Sequence, residues 1–328
     1  MNKLTIVKYH YVRELKRSRY PEIKGLDIAQ FKGQIAYIKK QYNVITAYDL
    51  MEAIESGADL PPRALLLTFD DGYIDNFTEV FPVLDKEKLS GCFFPPAKPI
   101  LYNKVLDVNK IHFILATVSD KNFLVNYIYQ FLDENRSSYQ LESNEFYWRT
   151  CAVASRYDSA VVRFVKCMLQ RALPQKLRNV ITDKLFEKFV SNDEETFSKE
   201  LYMDVEQISC LQRNGMYIGS HGFDHHWLNS ISDDEQRKEI DLSIEFLKMV
   251  GSDPDHWMIC YPHGSYNDSL LSILKERKCS VGLTVNLGIA RLKEDNPLML
   301  PRLDTNDLPK KSNSEPNEWT INAMCEVG

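Results

Sequence analysis

Two adjacent carboxylates, Asp70 and Asp71, close an apolar run that reads Leu-Leu-Leu-Thr-Phe-Asp-Asp-Gly over residues 65–72. Two imidazoles, His221 and His225, stand four residues apart in Ser-His-Gly-Phe-Asp-His-His over residues 220–226. One carboxylate with two imidazoles is a ligand set for a hydrolytic divalent metal with an open coordination position. The other carboxylate is then free to act as a base. A metal held this way polarises an amide carbonyl and lowers the pKa of water toward about 7. Asp70 and Asp71 could not both stay ionised side by side without the metal's charge to separate their roles. A general acid is also needed for a departing amine. The bland alternative for the carboxylates is a strand-end turn, since Asp-Gly is a common turn dipeptide. For the histidines it is a structural pair at a helix entry, and a shift of one residue would make His226 the ligand.

The elements that must position these groups follow from periodicity. Residues 4–11 read as a strand, and Ala64–Phe69 as a buried one. Leu26 to Lys40 reads as a helix, with Phe31, Ile35 and Ile38 on one face. Val44–Ile45 is a short strand, Thr46 an N-cap, and a helix follows to Ile54. Cys92–Phe94 begins the next strand. Residues 103–202 then change to helical spacing, as in Ile111, Leu115, Val118 and Val161, Phe164, Val165, Met168, Leu169. Strand–helix alternation resumes with capping boxes at Asp204/Gln207 and Ser232/Glu235. Strands are expected at Met216–Ser220, Trp257–Tyr261, Val281–Val285 and Leu298–Leu303, with a helix over Asp268–Lys278. Repeated βα units predict parallel strands with helices outside. The expected organisation is one unit from 1–102 and 203–308, a helical insertion over 103–202, and a loop-like tail over 309–328.

Composition bounds the function class. Of 328 residues, 44% are hydrophobic and 26% charged, typical of a globular chain. A net charge of −6 argues against bulk nucleic-acid binding, which needs a basic face. Seven cysteines without a CxxC pair indicate neither a disulfide framework nor a cysteine-type zinc site. Most are expected to be buried, reduced thiols. No signal peptide or membrane-length apolar run is evident, so the cytoplasm is the expected compartment.

Thr68-Phe69-Asp70-Asp71-Gly72 together with His221-x-x-x-His225 resembles the polysaccharide deacetylase (NodB-like, carbohydrate esterase family 4) superfamily. The resemblance covers residues 1–98 and 205–305. It implies a distorted (β/α) barrel of about seven parallel strands, here carrying a large helical insertion. It also implies removal of an acyl group, usually acetyl, from an amino sugar with one divalent metal. Zinc is the expected ion, with cobalt, nickel or manganese as alternatives. By the resemblance Asp70 is the base, and Asp71, His221 and His225 are the metal ligands. The commoner members draw their acid from a late Leu-x-His, yet no histidine follows His263. Tyr9-His10 resembles instead the permuted members, in which the acid histidine lies near the N-terminus, and makes His10 the candidate acid.

A further family element, Arg-x-Pro-Tyr, binds the oxyanion through its backbone and steers the base through its arginine. The corresponding segment here is Cys260-Tyr261-Pro262-His263-Gly264. Its backbone role can survive, but Cys260 cannot replace the arginine. Arg302, in Leu300-Pro301-Arg302-Leu303-Asp304, is the expected partner of Asp70. Tyr261, His263 and Trp227 are candidates for the oxyanion or substrate side, with Tyr266 equally suited to core packing. His112 and His256 read as structural or exposed. Arg13, Lys16, Arg17 and Arg19 follow the His10 strand. They are either a solvated basic loop or a clamp for a nucleotide- or lipid-pyrophosphate-linked sugar.

The leading expectation is therefore a metal-dependent hydrolase that deacylates an amino sugar or glycan precursor during bacterial surface polysaccharide biosynthesis. Its substrate would be an N-acylated sugar and not a nucleic acid. The rivals are a same-fold hydrolase of a non-sugar C–N bond and a catalytically idle glycan-binding or scaffold protein.

Overall fold

The computed structural model describes residues 3–324; Met1, Asn2 and residues 325–328, including Cys325 and the end of the tail, lie outside them. The chain folds into two compact units. One comprises residues 3–14, 25–103 and 198–324, and the other Leu15–Lys24 with Lys104–Phe197.

The first unit is built on β1 (Lys3–Tyr9), β2 (Ala64–Asp70), β3 (Cys92–Phe94), β4 (Tyr217–Ile218), β5 (Trp257–Cys260), β6 (Cys279–Leu283) and β7 (Leu303–Asp304). Parallel pairing runs from β1 to β2, β3 and β4 in turn. A parallel bridge between Ser220 and Ile259 continues it to β5, which pairs in parallel with β6. Another bridge, Leu283 to Leu300, leads toward β7, and β7 pairs in parallel with β1. The ring closes, giving a barrel with short, irregular staves. An antiparallel addition, Ala290–Arg291 against the start of β1, escapes a periodicity reading because it is two residues long.

Alternation sorts the side chains of each stave. Leu4, Ile6, Ala64, Leu66, Cys92, Phe94, Met258, Cys260, Val281 and Leu283 share one buried cluster. Val7, Tyr9, Leu65, Leu67, Phe69 and Ile259 share the other with Phe31, Ile35 and Ile38 of helix α1 (Ile28–Gln41). Every residue of β2 is buried, which is why its sequence is apolar but for Thr68 up to Phe69 instead of alternating. Helix α2 (Ala47–Ser56) sends Leu50, Met51 and Ala53 into the first of these clusters. Continuing the period of two past Leu66 and Ile6 puts Thr68, Asp70 and His10 on that same inward face, at the C-terminal ends of the strands.

Several helices begin where short polar side chains satisfy their first N–H groups. Thr46 and Asp49 form a reciprocal capping box for α2. Others open the helices Val205–Arg213 and Asp233–Met249, at Asp204/Gln207 and Ser232/Glu235. Each such cap is worth about 1 kcal/mol. The strand expected over Leu298–Leu303 is instead a 3-10 turn, Pro297–Met299, followed by the two-residue β7, because Pro297 and Pro301 offer no ladder N–H. The tail is not all loop: Glu318–Met324 is a helix, and Thr320 accepts from the Tyr42 hydroxyl.

The second unit is helical, with Asp107–Thr117, Lys121–Tyr139, Asn144–Cys151, Ala160–Cys167 and Gln175–Phe189 as its main elements. Its core gathers Ile111, Phe113, Leu124, Ile128, Phe164 and Leu185, each essentially inaccessible. Lys110, deeply buried, is held by Asp183 at 2.6 Å and Glu194 at 3.0 Å. Cys151 and Cys167 form a disulfide, a pairing the expectation of mostly reduced thiols did not include, while Cys92, Cys210, Cys260 and Cys279 are free thiols.

Candidate active site

Asp70 is the last residue of β2, and its side chain is almost wholly buried. Arg302 grips it bidentately, Nη1 to Oδ1 and Nη2 to Oδ2, both at 2.9 Å. The guanidinium is itself buried and is fixed by Nε donating to Thr284 O at 2.9 Å and Nη1 to Thr68 Oγ1 at 3.2 Å. Thr68 in turn donates to Val7 O, which explains a hydroxyl in the middle of an apolar stave. The arginine absent from the Cys260–Gly264 segment is thus supplied by the segment leading into β7. Cys260 still contributes, its thiol donating to Asp70 Oδ2 at 3.3 Å. Burial alone would raise the Asp70 pKa, but Arg302, His221 and His10 outweigh it and hold the carboxyl well below its usual range. His10 follows β1 with its ring half exposed, Nε2 3.8 Å from Asp70 Oδ2.

Asp71 turns the chain out of the barrel with φ of 72°, and Gly72 follows at 67°. A Cβ on Gly72 would lie 2.7 Å from Pro95, so glycine is required there. The Asp-Gly turn and the functional reading are therefore one feature. A non-glycine residue in the left-handed region is strained and persists where its surroundings over-determine it. Here the Tyr73 hydroxyl donates to Asp71 Oδ2 at 2.7 Å, which leaves Oδ1 directed at the histidines.

His221 Nδ1 lies 2.6 Å from the Cys260 carbonyl, an acceptor only, so that nitrogen carries the proton and Nε2 presents its lone pair. Nε2 is 3.3 Å from Asp71 Oδ1 and 3.2 Å from His225 Nε2, and His225 Nε2 is 3.5 Å from Asp71 Oδ1. Ligand atoms about 2.0–2.1 Å from a tetrahedral zinc lie about 3.3–3.4 Å apart, so this triangle has the size of one tetrahedral face. A second grouping, Asp70, His221 and Cys260, also falls within metal-binding range. It is the poorer donor set, because Arg302 occupies both Asp70 oxygens and His221 turns its protonated nitrogen to Cys260.

Burial opposes ionisation of Asp71, but the imidazoles of His221 and His225, in the forms that carry a proton on Nε2, hold its pKa well down. Burial lowers the pKa of His225. For His221 burial also acts downward, yet the Cys260 thiol and the Asp71 and Asp70 carboxylates prevail and raise it. A divalent ion on that imidazole takes the place of the proton. His226 is not part of the triangle: its Nε2 faces Asp224 at 3.4 Å and Glu239 at 3.9 Å.

Three rings form one wall of the site. Trp227 stacks on His263 with centroids 4.3 Å apart and planes 8° from parallel, and His263 meets His225 edge-on at 4.5 Å. Tyr261 is the correction. Its hydroxyl donates to Leu298 O and its N–H to Leu283 O, so both donors are spent inside the barrel and neither faces a substrate. Of the basic residues that follow the His10 strand, Arg13 is paired within the unit, its Nε donating to Asp75 at 2.6 Å. Tyr73 was not legible as a site residue, although a hydroxyl two positions after a carboxylate ligand is the signal that could have marked it.

The polysaccharide deacetylase family model matches residues 185–282, a stretch holding His221, His225 and His263 but not the Asp70–Asp71 pair. The poly-beta-1,6-N-acetyl-D-glucosamine N-deacetylase of Escherichia coli K12 is 31% identical over 85 residues, 25% of this chain and 12% of that protein. The match therefore spans about an eighth of that relative's length. Among solved structures, the Streptococcus pyogenes deacetylase PplD, in complex with acetate, aligns with a TM-score of 0.58 at 16% identity, covering 99% of both chains. IcaB from Ammonifex degensii aligns with a TM-score of 0.56 at 15% identity over 99% of this chain and 98% of that one. At such identities the structural likeness speaks for the barrel-like fold. The family model and the curated relative mark a polysaccharide-deacetylase-like stretch within this chain, and the solved structures share its barrel-like fold.

Proposed function

We propose that this chain is a metal-dependent hydrolase that removes acetyl groups from N-acetylated amino sugars of a bacterial surface polysaccharide. The observation that carries the reading is the Asp71–His221–His225 triangle set beside the Arg302-held Asp70. These three residues would hold one divalent cation, and the size of the triangle suits a tetrahedral ion such as zinc. Bound there, the cation supplies Lewis-acid polarisation of the acyl carbonyl and acidifies an attacking water.

The chain's own residues do the rest. Asp70, kept ionised and oriented by Arg302, accepts the proton of the attacking water. His10, close to Asp70 and open to solvent, donates a proton to the departing amine. The flat Trp227–His263 stack offers an apolar face for a sugar ring. With Arg13 committed to Asp75, a polymer fits better than a pyrophosphate-linked precursor. That choice agrees with the glucosamine polymer named for the Escherichia coli relative.

The test is acetate release from β-1,6-linked N-acetylglucosamine oligomers, compared with UDP-N-acetylglucosamine and free N-acetylglucosamine. The oligomers are expected to turn over fastest, and His10→Ala to slow them by about a hundredfold or more. Release from none of the three sugars would contradict the reading, and a preference for the nucleotide sugar would restore the precursor alternative.

A further inference from the structure

The loop that carries both histidines is backbone held against its own preferences. Gly222 has φ of 75° and His225 has φ of 54°, so two of five consecutive residues sit in the left-handed region. Between them, the N–H groups of Phe223 and Asp224 point away from the metal-side face and into the protein. Both donate to one atom, Oε2 of Glu239, at 3.1 and 3.0 Å. Glu239 projects from the helix Asp233–Met249, is 7% exposed, and belongs to no part of the chemistry described above. The other side of the loop is tied by Lys98 N–H to Phe223 O at 2.8 Å, Ala97 N–H to Gly222 O at 3.3 Å, and Gly222 N–H to Ser220 Oγ at 3.1 Å. Glu239 is the acceptor for the two donors that lie midway between His221 and His225.

We propose that Glu239 is the positioning residue of the metal centre: its carboxylate oxygen clamps the Phe223 and Asp224 amides and so fixes the separation of the two imidazole ligands. The inference rests on the metal-site reading above and extends it to a residue well beyond the loop in sequence. Without the acceptor, two part-buried N–H groups would lose their partner, and the loop would relax out of its left-handed turns. The imidazoles would then no longer meet Asp71 Oδ1 at ligand distance. Supporting groups of this kind typically govern metal affinity about 10–100-fold.

The acceptor, and not the charge, is what the clamp requires, so conservative variants separate the two. Zinc affinity of the full chain is measured by competition with a chelating dye, and the cobalt-loaded absorption spectrum reports ligand geometry. Glu239→Asp keeps the charge but withdraws the oxygen by one methylene; it is expected to weaken zinc about tenfold or more and to alter the cobalt bands. Glu239→Gln keeps a carbonyl oxygen in reach and is expected to stay close to wild type in both. Wild-type affinity in Glu239→Asp, or Glu239→Gln as weak as Glu239→Asp, would overturn the proposal. Hydrogen exchange over residues 222–226 reads the clamp with no metal present. Faster exchange in Glu239→Asp supports it, and unchanged exchange contradicts it. Wild-type protein that binds no zinc would defeat the metal-site reading, while the exchange result still decides the role of Glu239.

Discussion

Asp70→Asn is expected to lower acetate release by about two to four orders of magnitude while metal content stays at the wild-type level, because it removes a general base and none of the metal ligands. The substitution preserves shape, and the amide oxygen can still accept one of the two Arg302 hydrogen bonds that the carboxylate takes at 2.9 Å. What is lost is the ability to accept a proton and the negative charge that balances a buried guanidinium. The comparison must be made at equal metal occupancy, since Asp71 is the next residue and a disturbed strand end could mimic the effect. A variant with full metal and undiminished release would remove Asp70 from the mechanism.

Arg302→Met is expected to have the largest effect on stability. Both members of the Arg302–Asp70 pair are about 1% exposed, so solvent screening does not soften the interaction. Removing one partner of a buried pair costs about 3–5 kcal/mol, chiefly because the remaining charge is left without compensation. The Asp70 carboxylate would keep the Cys260 thiol as its direct donor in the barrel wall. Release of acetate should fall with it, through a base that is no longer held in position. Adding Asp70→Asn to Arg302→Met is expected to recover part of the lost stability but none of the activity, since the stranded charge disappears while the base stays absent. Thermal or urea unfolding of the single and double variants reads this directly. Equal stability of Arg302→Met and wild type would mean that the pair is not an energetic element of the barrel.

The parts of this architecture that were legible in the sequence are those decided within a few neighbouring residues. The run at 64–69 is apolar at every position but Thr68 because β2 is buried on both faces, and Asp70 follows it at the barrel end. The capping boxes at Asp204 and Ser232 are local hydrogen-bond patterns spanning three positions and stand where they were expected. The Asp70–Arg302 contact was reachable from an arginine at a strand end once the usual position proved to be Cys260.

What was not legible depends on chain segments far apart. Glu239 is an ordinary helix residue until the loop at 222–226 is laid against it. Tyr261 looked like a substrate-side residue because its neighbours do, yet strand pairing with Leu283 uses its N–H and the Leu298 carbonyl captures its hydroxyl. The Cys151–Cys167 bond joins two helices at a sequence separation of 16, with no cysteine framework around it to announce the pairing. Pro297 and Pro301 were outweighed by the leucines between them, so a 3-10 turn was read as a strand.

The central claim is that Asp71, His221 and His225 hold the ion on which acetate release depends. The most direct test is zinc stoichiometry together with acetate release from N-acetylglucosamine oligomers, for wild type, His225→Ala and His226→Ala, before and after chelation. One zinc per chain is expected in wild type and in His226→Ala. His225→Ala should lose the ion and the activity together, and chelation should abolish release until zinc is returned. Undiminished release from the chelated protein, or full zinc occupancy in His225→Ala, would contradict the account.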